Sequence, residues 1–169
     1  MKAHQIMKKR VIKVKERDNM QAVIEKFLYY GISGVPVVND RNEIAGYVSI
    51  EDVLRYIGKP NDLIFGTPFF TGHYQIEEGN FVDRAQKIRK MNVMELAQTK
   101  VYKVAWDEDI ETITGIFTKG RAKKVMVERM GVLIGIISRN DVIHHSFKTI
   151  TEYNRNDGAL SKTKVYCFE

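Results

Sequence analysis

An α/β (α+β) chain, built from two copies of a strand-helix-strand-strand-helix unit, is predicted by three observations. The segment Val11-Ile12-Lys13-Val14 matches Val101-Tyr102-Lys103-Val104, and in the same register Met20, Val23, Phe27, Val35 and Val37 meet Ile110, Ile113, Phe117, Val125 and Val127. After the loss of one residue in the second copy, Gly46, Ser49, Asp52 and Val53 meet Gly135, Ser138, Asp141 and Val142. Within each copy the apolar spacing switches between a strand period and a helix period in the same order. A self-similar unit of roughly 50 to 60 residues, present in two copies, sets the architecture before any local assignment.

The first strand is predicted over Val11 to Val14, where β-branched residues flank a lysine. A helix follows, because Met20, Val23, Ile24, Phe27 and Leu28 recur on one face. Asp18 and Gln21 stand at capping-box spacing before it, and Gly31 is placed to end it in the left-handed region. Strands Val35 to Val38 and Ile44 to Val48 are joined by the polar turn Asn39-Asp40-Arg41-Asn42. A second helix begins near Ser49 and is expected to carry Val53, Leu54 and Ile57 inward. The second copy reads alike: a strand from Val101 to Val104, a helix from Ile110 to Phe117 closed near Gly120, strands around Val125 and from Val132 to Ile137, and a helix from Ser138.

These signals divide the chain into a first repeat at 1–58, a connecting segment at 59–92, a second repeat at 93–150 and a tail at 151–169. Pro60, Pro68 and several glycines predict an irregular connection from Gly58 to Asn80, anchored by Phe65, Phe69, Phe70 and Tyr74. A short basic helix, Phe81 to Met91, then places Phe81, Ala85 and Ile88 on one face. In the tail, Lys164-Val165-Tyr166-Cys167-Phe168 has the composition of an added strand.

Composition narrows the function classes. No apolar run is long enough to span a bilayer, so no membrane association is expected. The opening Met1 to Arg10 carries positive charge without an apolar stretch, so a cytoplasmic location is the default. The single Cys167 can form neither an internal disulfide nor a thiolate cluster. A net charge of +6 admits nucleotides, nucleic acid and acidic surfaces as partners. His144 and His145 are adjacent on a helix and diverge, and neither His4 nor His73 has a partner at metal spacing, so no metal site is expected. Paired carboxylates, a nucleophile elbow and a phosphate loop are all missing from the sequence, which argues against an enzyme.

The segments Gly46-Tyr47-Val48-Ser49-Ile50-Glu51-Asp52-Val53 and Gly135-Ile136-Ile137-Ser138-Arg139-Asn140-Asp141-Val142, with Gly34-Val35-Pro36-Val37-Val38, resemble the CBS domain family. The resemblance implies a pseudo-two-fold pair of CBS repeats, a Bateman module, that senses adenosine-containing ligands in the cleft between repeats and assembles as a homodimer. It implies no catalysis and no required cofactor. It also implies that Ser138 and Ser49 bond a ligand phosphate while Asp141 and Asp52 hold ribose hydroxyls. Val11, Ile12, Gly34 and Val35 would line one pocket, and Val101, Tyr102, Lys124 and Val125 the other. A helix N-terminus favours a phosphate and a carboxylate accepts a diol, so the roles have a physical basis. Lys124 and Arg139 near Asp141 supply cations that Gly34 and Ile50 near Asp52 do not, so the Asp141 site is the stronger expectation.

The expected function is a stand-alone regulatory sensor that binds AMP, ADP, ATP, S-adenosylmethionine or cyclic di-AMP and signals to an unidentified protein target. The plainer structural alternative is that each Ser and Asp form only a helix capping box. Two further alternatives are a nucleic-acid or transcription-associated regulator, motivated by the basic segment Arg84 to Lys90, and a dimerisation scaffold with vestigial sites. Tyr29 and Tyr30 close an apolar helix, with core packing the default reading and a dimer contact the other.

Overall fold

The computed structural model describes residues 1–58, 61–67, 70–76, 80–120 and 122–156. In chain order the elements are α1 (Ala3–Ile6), β1 (Val14–Lys15), α2 (Met20–Tyr30), β2 (Gly34–Val38), β3 (Ile44–Ser49) and α3 (Ile50–Gly58), then β4 (Asn61–Thr67), β5 (Phe70–Ile76) and α4 (Phe81–Lys90). After a single 3-10 turn at Val93–Glu95 come β6 (Lys103–Ala105), α5 (Ile110–Lys119), β7 (Lys124–Arg129), β8 (Val132–Ser138) and α6 (Arg139–Asn156). The chain divides into two units. One comprises Arg10–Val101 with Met130–Leu133, and the other comprises Met1–Lys9, Tyr102–Arg129 and the chain from Ile134. They are called the Asp52 unit and the Asp141 unit.

In the Asp52 unit the sheet runs β1-β2-β3, with β1 parallel and β3 antiparallel to β2. A parallel pair needs a crossover, which α2 supplies. Its N-cap is Asn19, whose side chain accepts from the Ala22 amide, rather than the expected Asp18. Asp18 instead accepts the Lys15 amide at 2.8 Å and closes the preceding turn, leaving the cap to the next residue. Gly31 ends α2 at φ 59°, as its placement predicts.

The first strand is shorter than the expected Val11 to Val14. Val14 lies opposite Val37, so the ladder would next need an N–H from Pro36, and proline has none. The second repeat has Met126 at that position, and its N–H donates to the Tyr102 carbonyl at 2.9 Å. There the strand is Lys103–Ala105 rather than the expected Val101 to Val104.

Val14, Met20, Val23, Phe27, Val35, Val37 and Val48 form the Asp52-unit core together with Ile88 and Val93. Helix α3 turns Val53, Tyr56 and Ile57 toward this core, whereas Leu54 is 56% exposed, contrary to expectation. At 100° per residue the buried face centres near Val53 and extends to Asp52, which leaves Leu54 beyond its margin. Helix α4, capped reciprocally by Asn80 and Asp83, packs on α2 and α3. Of its expected face only Ile88 is fully buried. Phe81 is 56% exposed because the first turn, Val82 included, stands outside the packed surface. Tyr29 is 83% exposed and meets Tyr30 edge-to-face, so the pair does not serve the core as its default reading held.

The segment expected to be an irregular connection holds an antiparallel hairpin, with Asn61 opposite Ile76 and Thr67 opposite Phe70. Its aromatic and β-branched residues have strand propensity, which outweighs the proline and glycine punctuation around them. Phe65, Phe70 and Tyr74 fall on these strands, while Phe69 and the tail segment 164–168 lie outside the described residues.

In the Asp141 unit β6 runs parallel to β7, and β8 completes the order β6-β7-β8. Strands β7 and β8 are joined by Met130 at φ 53° and Gly131 at φ 82°, the tight two-residue turn that suits a twisted hairpin. The first repeat uses the longer connection Asn39–Glu43 with a bulge at Val37/Val38, and so carries the extra residue. Ala3 and Ile6 of α1 are fully buried here with Val104, Ile113, Phe117, Val125, Val127 and Ile137. No helix among the described residues is long and apolar enough to cross a membrane.

Ile88→Ala is expected to cost about 2–5 kcal/mol in a urea melt, by transfer and cavity terms together. Phe81→Ala, a few residues away on the same helix, should stay within about 0.5 kcal/mol.

Candidate functional site

Each three-stranded sheet ends its last strand on a serine, and the following helix begins at the next residue. The aspartate in the first turn then returns to that serine. In the Asp141 unit Asp141 Oδ2 accepts the Ser138 amide at 2.8 Å and the Ser138 hydroxyl at 2.6 Å. In the Asp52 unit Asp52 Oδ2 accepts the Ser49 amide at 2.9 Å and hydroxyl at 2.5 Å. The aspartate amides face the serine oxygens at 3.3 and 3.4 Å, so the capping geometry weighed as the plainer alternative is present in both. Both aspartates are buried, at 9% and 4% exposure for Asp141 and Asp52.

A capping carboxylate has a second oxygen, and here the units differ. Asp141 Oδ1 meets the Lys8 ammonium at 3.1 Å, a side chain that is 66% exposed. Asp52 Oδ1 accepts Nε2 of Gln98 at 2.7 Å and Nη1 of Arg55 at 3.4 Å. Burial alone would push the Asp141 carboxyl up. The bonds from the Ser138 hydroxyl and amide, and then from Lys8, outweigh it and hold the group below the usual carboxylate range. Lys124, half-buried, is pushed down mainly by burial and then by the Lys8 charge, with Asp141 opposing.

The counterpart of Lys124 is Gly34, and its surroundings explain the difference. A Cβ on Gly34 would lie 2.1 Å from the Tyr47 hydroxyl, because the Tyr47 ring crosses the strand there. Burial pushes that phenol well up, with Glu51 and then Asp52 adding to the effect. The second repeat has Ile136 in the position of Tyr47, and the lysine is accommodated.

Ser138, Asp141 and Lys124 are thus brought together with Lys8, and Ser49, Asp52 and Gly34 with Tyr47, Gln98 and Arg55. Arg139 points elsewhere: its Nη2 donates to the Ala122 carbonyl at 2.8 Å, and it lines a groove of about 740 Å³ with Phe117, Val142 and Ile143. Val125 and Val35 are fully buried, so their side chains face the core. Ile12 packs on the Asp52-unit core, Tyr102 is 45% exposed with its hydroxyl beside Gly120, and Val101 belongs to the Asp52 unit.

Lys8, Gln98 and Tyr47 went unrecognised in the sequence. A signal existed: Lys8 precedes Val11 by the same interval as Gln98 precedes Val101. Each pairs its backbone with a glycine-motif strand, Lys8 with Ile136 and Gln98 with Tyr47. Among the described residues no group of three or more His, Cys, Asp or Glu is gathered as a metal site.

The sequence profile of the CBS domain matches residues 3–59. The protein MJ1426 of Methanocaldococcus jannaschii is 30% identical over 148 residues, which is 82% of this chain and 86% of that one. A crystal structure of an acetoin utilization protein (AcuB) from Vibrio cholerae superposes with a TM-score of 0.68 at 15% identity, covering 95% of this chain and 98% of its own. That of CBSX2 in complex with AMP superposes at 0.67 and 18% identity, covering 88% and 98%. At those identities the two structures attest the fold.

Because the folded pKa of Asp141 is depressed, its stabilisation is complete above the unfolded value of about 4 and is lost as pH falls through the folded value. Asp141→Asn is therefore expected to melt below the native chain at neutral pH and to converge with it below about pH 4. Thermal melts across that range check the sign. Ser49→Ala, which removes a cap hydroxyl, should cost about 1 kcal/mol.

Proposed function

Because the chain belongs to the CBS domain family, we propose that it is a stand-alone regulatory sensor for an adenosine-containing nucleotide, bound at the Ser138–Asp141 motif and read by a partner protein. Proteins of this family are regulatory rather than catalytic as a rule, and the reading assigns no chemical step. The observation that carries it is a buried carboxylate at a helix start with the Lys8 ammonium on its outer oxygen, and with Lys124 near enough to feel the charge of both. A carboxylate accepts a ribose diol, while a helix N-terminus beside two ammonium groups favours a phosphate. A relative of the same fold, CBSX2, was crystallised with AMP, which supports an adenine nucleotide as the ligand.

The Asp52 motif is proposed as the weaker site. Its second oxygen already accepts from Gln98 and Arg55, and Tyr47 covers Gly34. Binding there would have to contend with Gln98, Arg55 and the Tyr47 ring together, where at Asp141 the outer oxygen carries Lys8. Ligand binding shifts a protein toward the state that binds best, and that shift is what a partner would read.

A homodimer forms part of the proposal. Leu28 at 81% and Tyr29 at 83% exposure give α2 an apolar surface suited to self-association. Sedimentation velocity is expected to give a dimer in the native chain and a shift toward monomer in Tyr29→Ser; a monomeric native chain would refute this part.

Calorimetric titration with AMP, ADP, ATP, S-adenosylmethionine and cyclic di-AMP tests the ligand. Saturable binding by at least one, weakened about tenfold or more in Asp141→Ala, is expected, since a buried acceptor of charge-assisted bonds is lost. No heat from any of the five, or equal affinity in the variant, overturns the reading. Salt-dependent retention of random DNA or RNA in place of nucleotides would favour the nucleic-acid alternative.

A further inference from the structure

The residues that complete the two motifs are delivered in the same way but differ in charge. Lys8 exchanges both backbone bonds with Ile136, its N–H to the Ile136 carbonyl at 2.9 Å and the Ile136 N–H to its carbonyl at 3.1 Å. Gln98 makes the same exchange with Tyr47, at 2.9 and 3.0 Å. In both cases the preceding residue packs over the motif glycine: a Cβ on Gly135 would lie 2.3 Å from Met7 Sδ, and one on Gly46 would lie 3.2 Å from the Ala97 Cβ. Each then sends its side chain to Oδ1 of the motif aspartate, Lys8 to Asp141 and Gln98 to Asp52.

We propose that Lys8 selects ligand charge at the Asp141 site, restricting it to phosphate-bearing adenosine compounds over uncharged nucleosides. This rests on the Asp141 motif being the nucleotide site. A ribose diol reaching Oδ1 competes with the ammonium that already sits on it, and weakens or replaces that contact. Oδ2 stays with Ser138, so only the outer bond is exchanged. A nucleoside offers the released ammonium nothing in return, whereas a nucleotide offers its phosphate. The Lys8 backbone is pinned to Ile136 and its stem is flexible, so the charge moves from carboxylate to phosphate without a change in fold. Lys124, already pushed down by burial and by Lys8, gains from the same phosphate. At Asp52 the equivalent displacement releases a neutral amide, which has no charge to transfer, and leaves Arg55 as the cation on that oxygen.

The test compares AMP with adenosine by calorimetry on the full chain, in the native protein and in Lys8→Gln, which transplants the Asp52-side residue. The native chain is expected to bind AMP at least about tenfold more tightly than adenosine, the range one charge-assisted contact supplies. Lys8→Gln should reduce that ratio to within about threefold, chiefly by weakening AMP, and should flatten the dependence of AMP affinity on salt. Lys8→Arg should keep the ratio. A thermal melt verifies that Lys8→Gln is folded, as expected for a change in an exposed side chain. An unchanged ratio in Lys8→Gln, with AMP still bound, overturns the role of Lys8 alone. Where another phosphate-bearing compound of the titration binds in place of AMP, it takes the place of AMP in the comparison with adenosine; failure of all of them overturns the nucleotide reading beneath it.

Discussion

In each unit the carboxylate of the closing motif accepts both the amide and the hydroxyl of the serine that ends the preceding strand, which holds strand end and helix start as one piece. The direction of α3 and of α6 therefore follows from the register of β3 and β8. The bonds also leave the aspartate buried yet satisfied, since a carboxylate deprived of partners at that depth would be costly. Among the described residues no buried side-chain polar atom lacks a hydrogen bond.

The same bonds are compatible with both the capping role and the proposed ligand role. A capping box uses one carboxylate oxygen and leaves the other facing outward, so the helix can be capped while the second oxygen is exchanged between donors. What distinguishes the two motifs is the company kept by that second oxygen and by the first residue of the central strand. Tyr47 over Gly34 and Ile136 in the matching place produce a filled corner in one unit and a lysine-lined one in the other. Two repeats with the same order of strands and helices thus acquire different side-chain surroundings from a few exchanges.

Much of this was legible in the sequence because it is local. The repeat register, the helices from Met20 and Ile110, the left-handed Gly31 and the paired Ser and Asp all follow from spacing. The errors have physical causes. Pro60 and Pro68 read as breaks, yet the segments beside them have strand composition and pair with each other. Asp18 and Asn19 are both good caps, and only the turn that engages Asp18 at Lys15 decides between them. Leu54 and Phe81 lie at the margins of faces whose width depends on what packs against them. Lys8 and Gln98 reach their aspartates through isolated bridges to residues distant in the chain, and such pairings leave no trace in strand or helix periodicity, only in the shared interval before Val11 and Val101.

The lead-in to each repeat lies in the unit of the other repeat: Lys8 completes the Asp141 motif, and Gln98 completes the Asp52 motif. A chain carrying one copy would have to borrow this segment from a second molecule, and its motif would then be complete only at concentrations where the molecules associate. Joining two copies in tandem makes the exchange internal and replaces bulk concentration with the effective concentration set by a covalent connection. Duplication in this architecture does more than double a site. It removes the dependence of each motif on a neighbour's abundance, and it lets the borrowed residue diverge, lysine on one side and glutamine on the other, which an exchange between identical chains could not do.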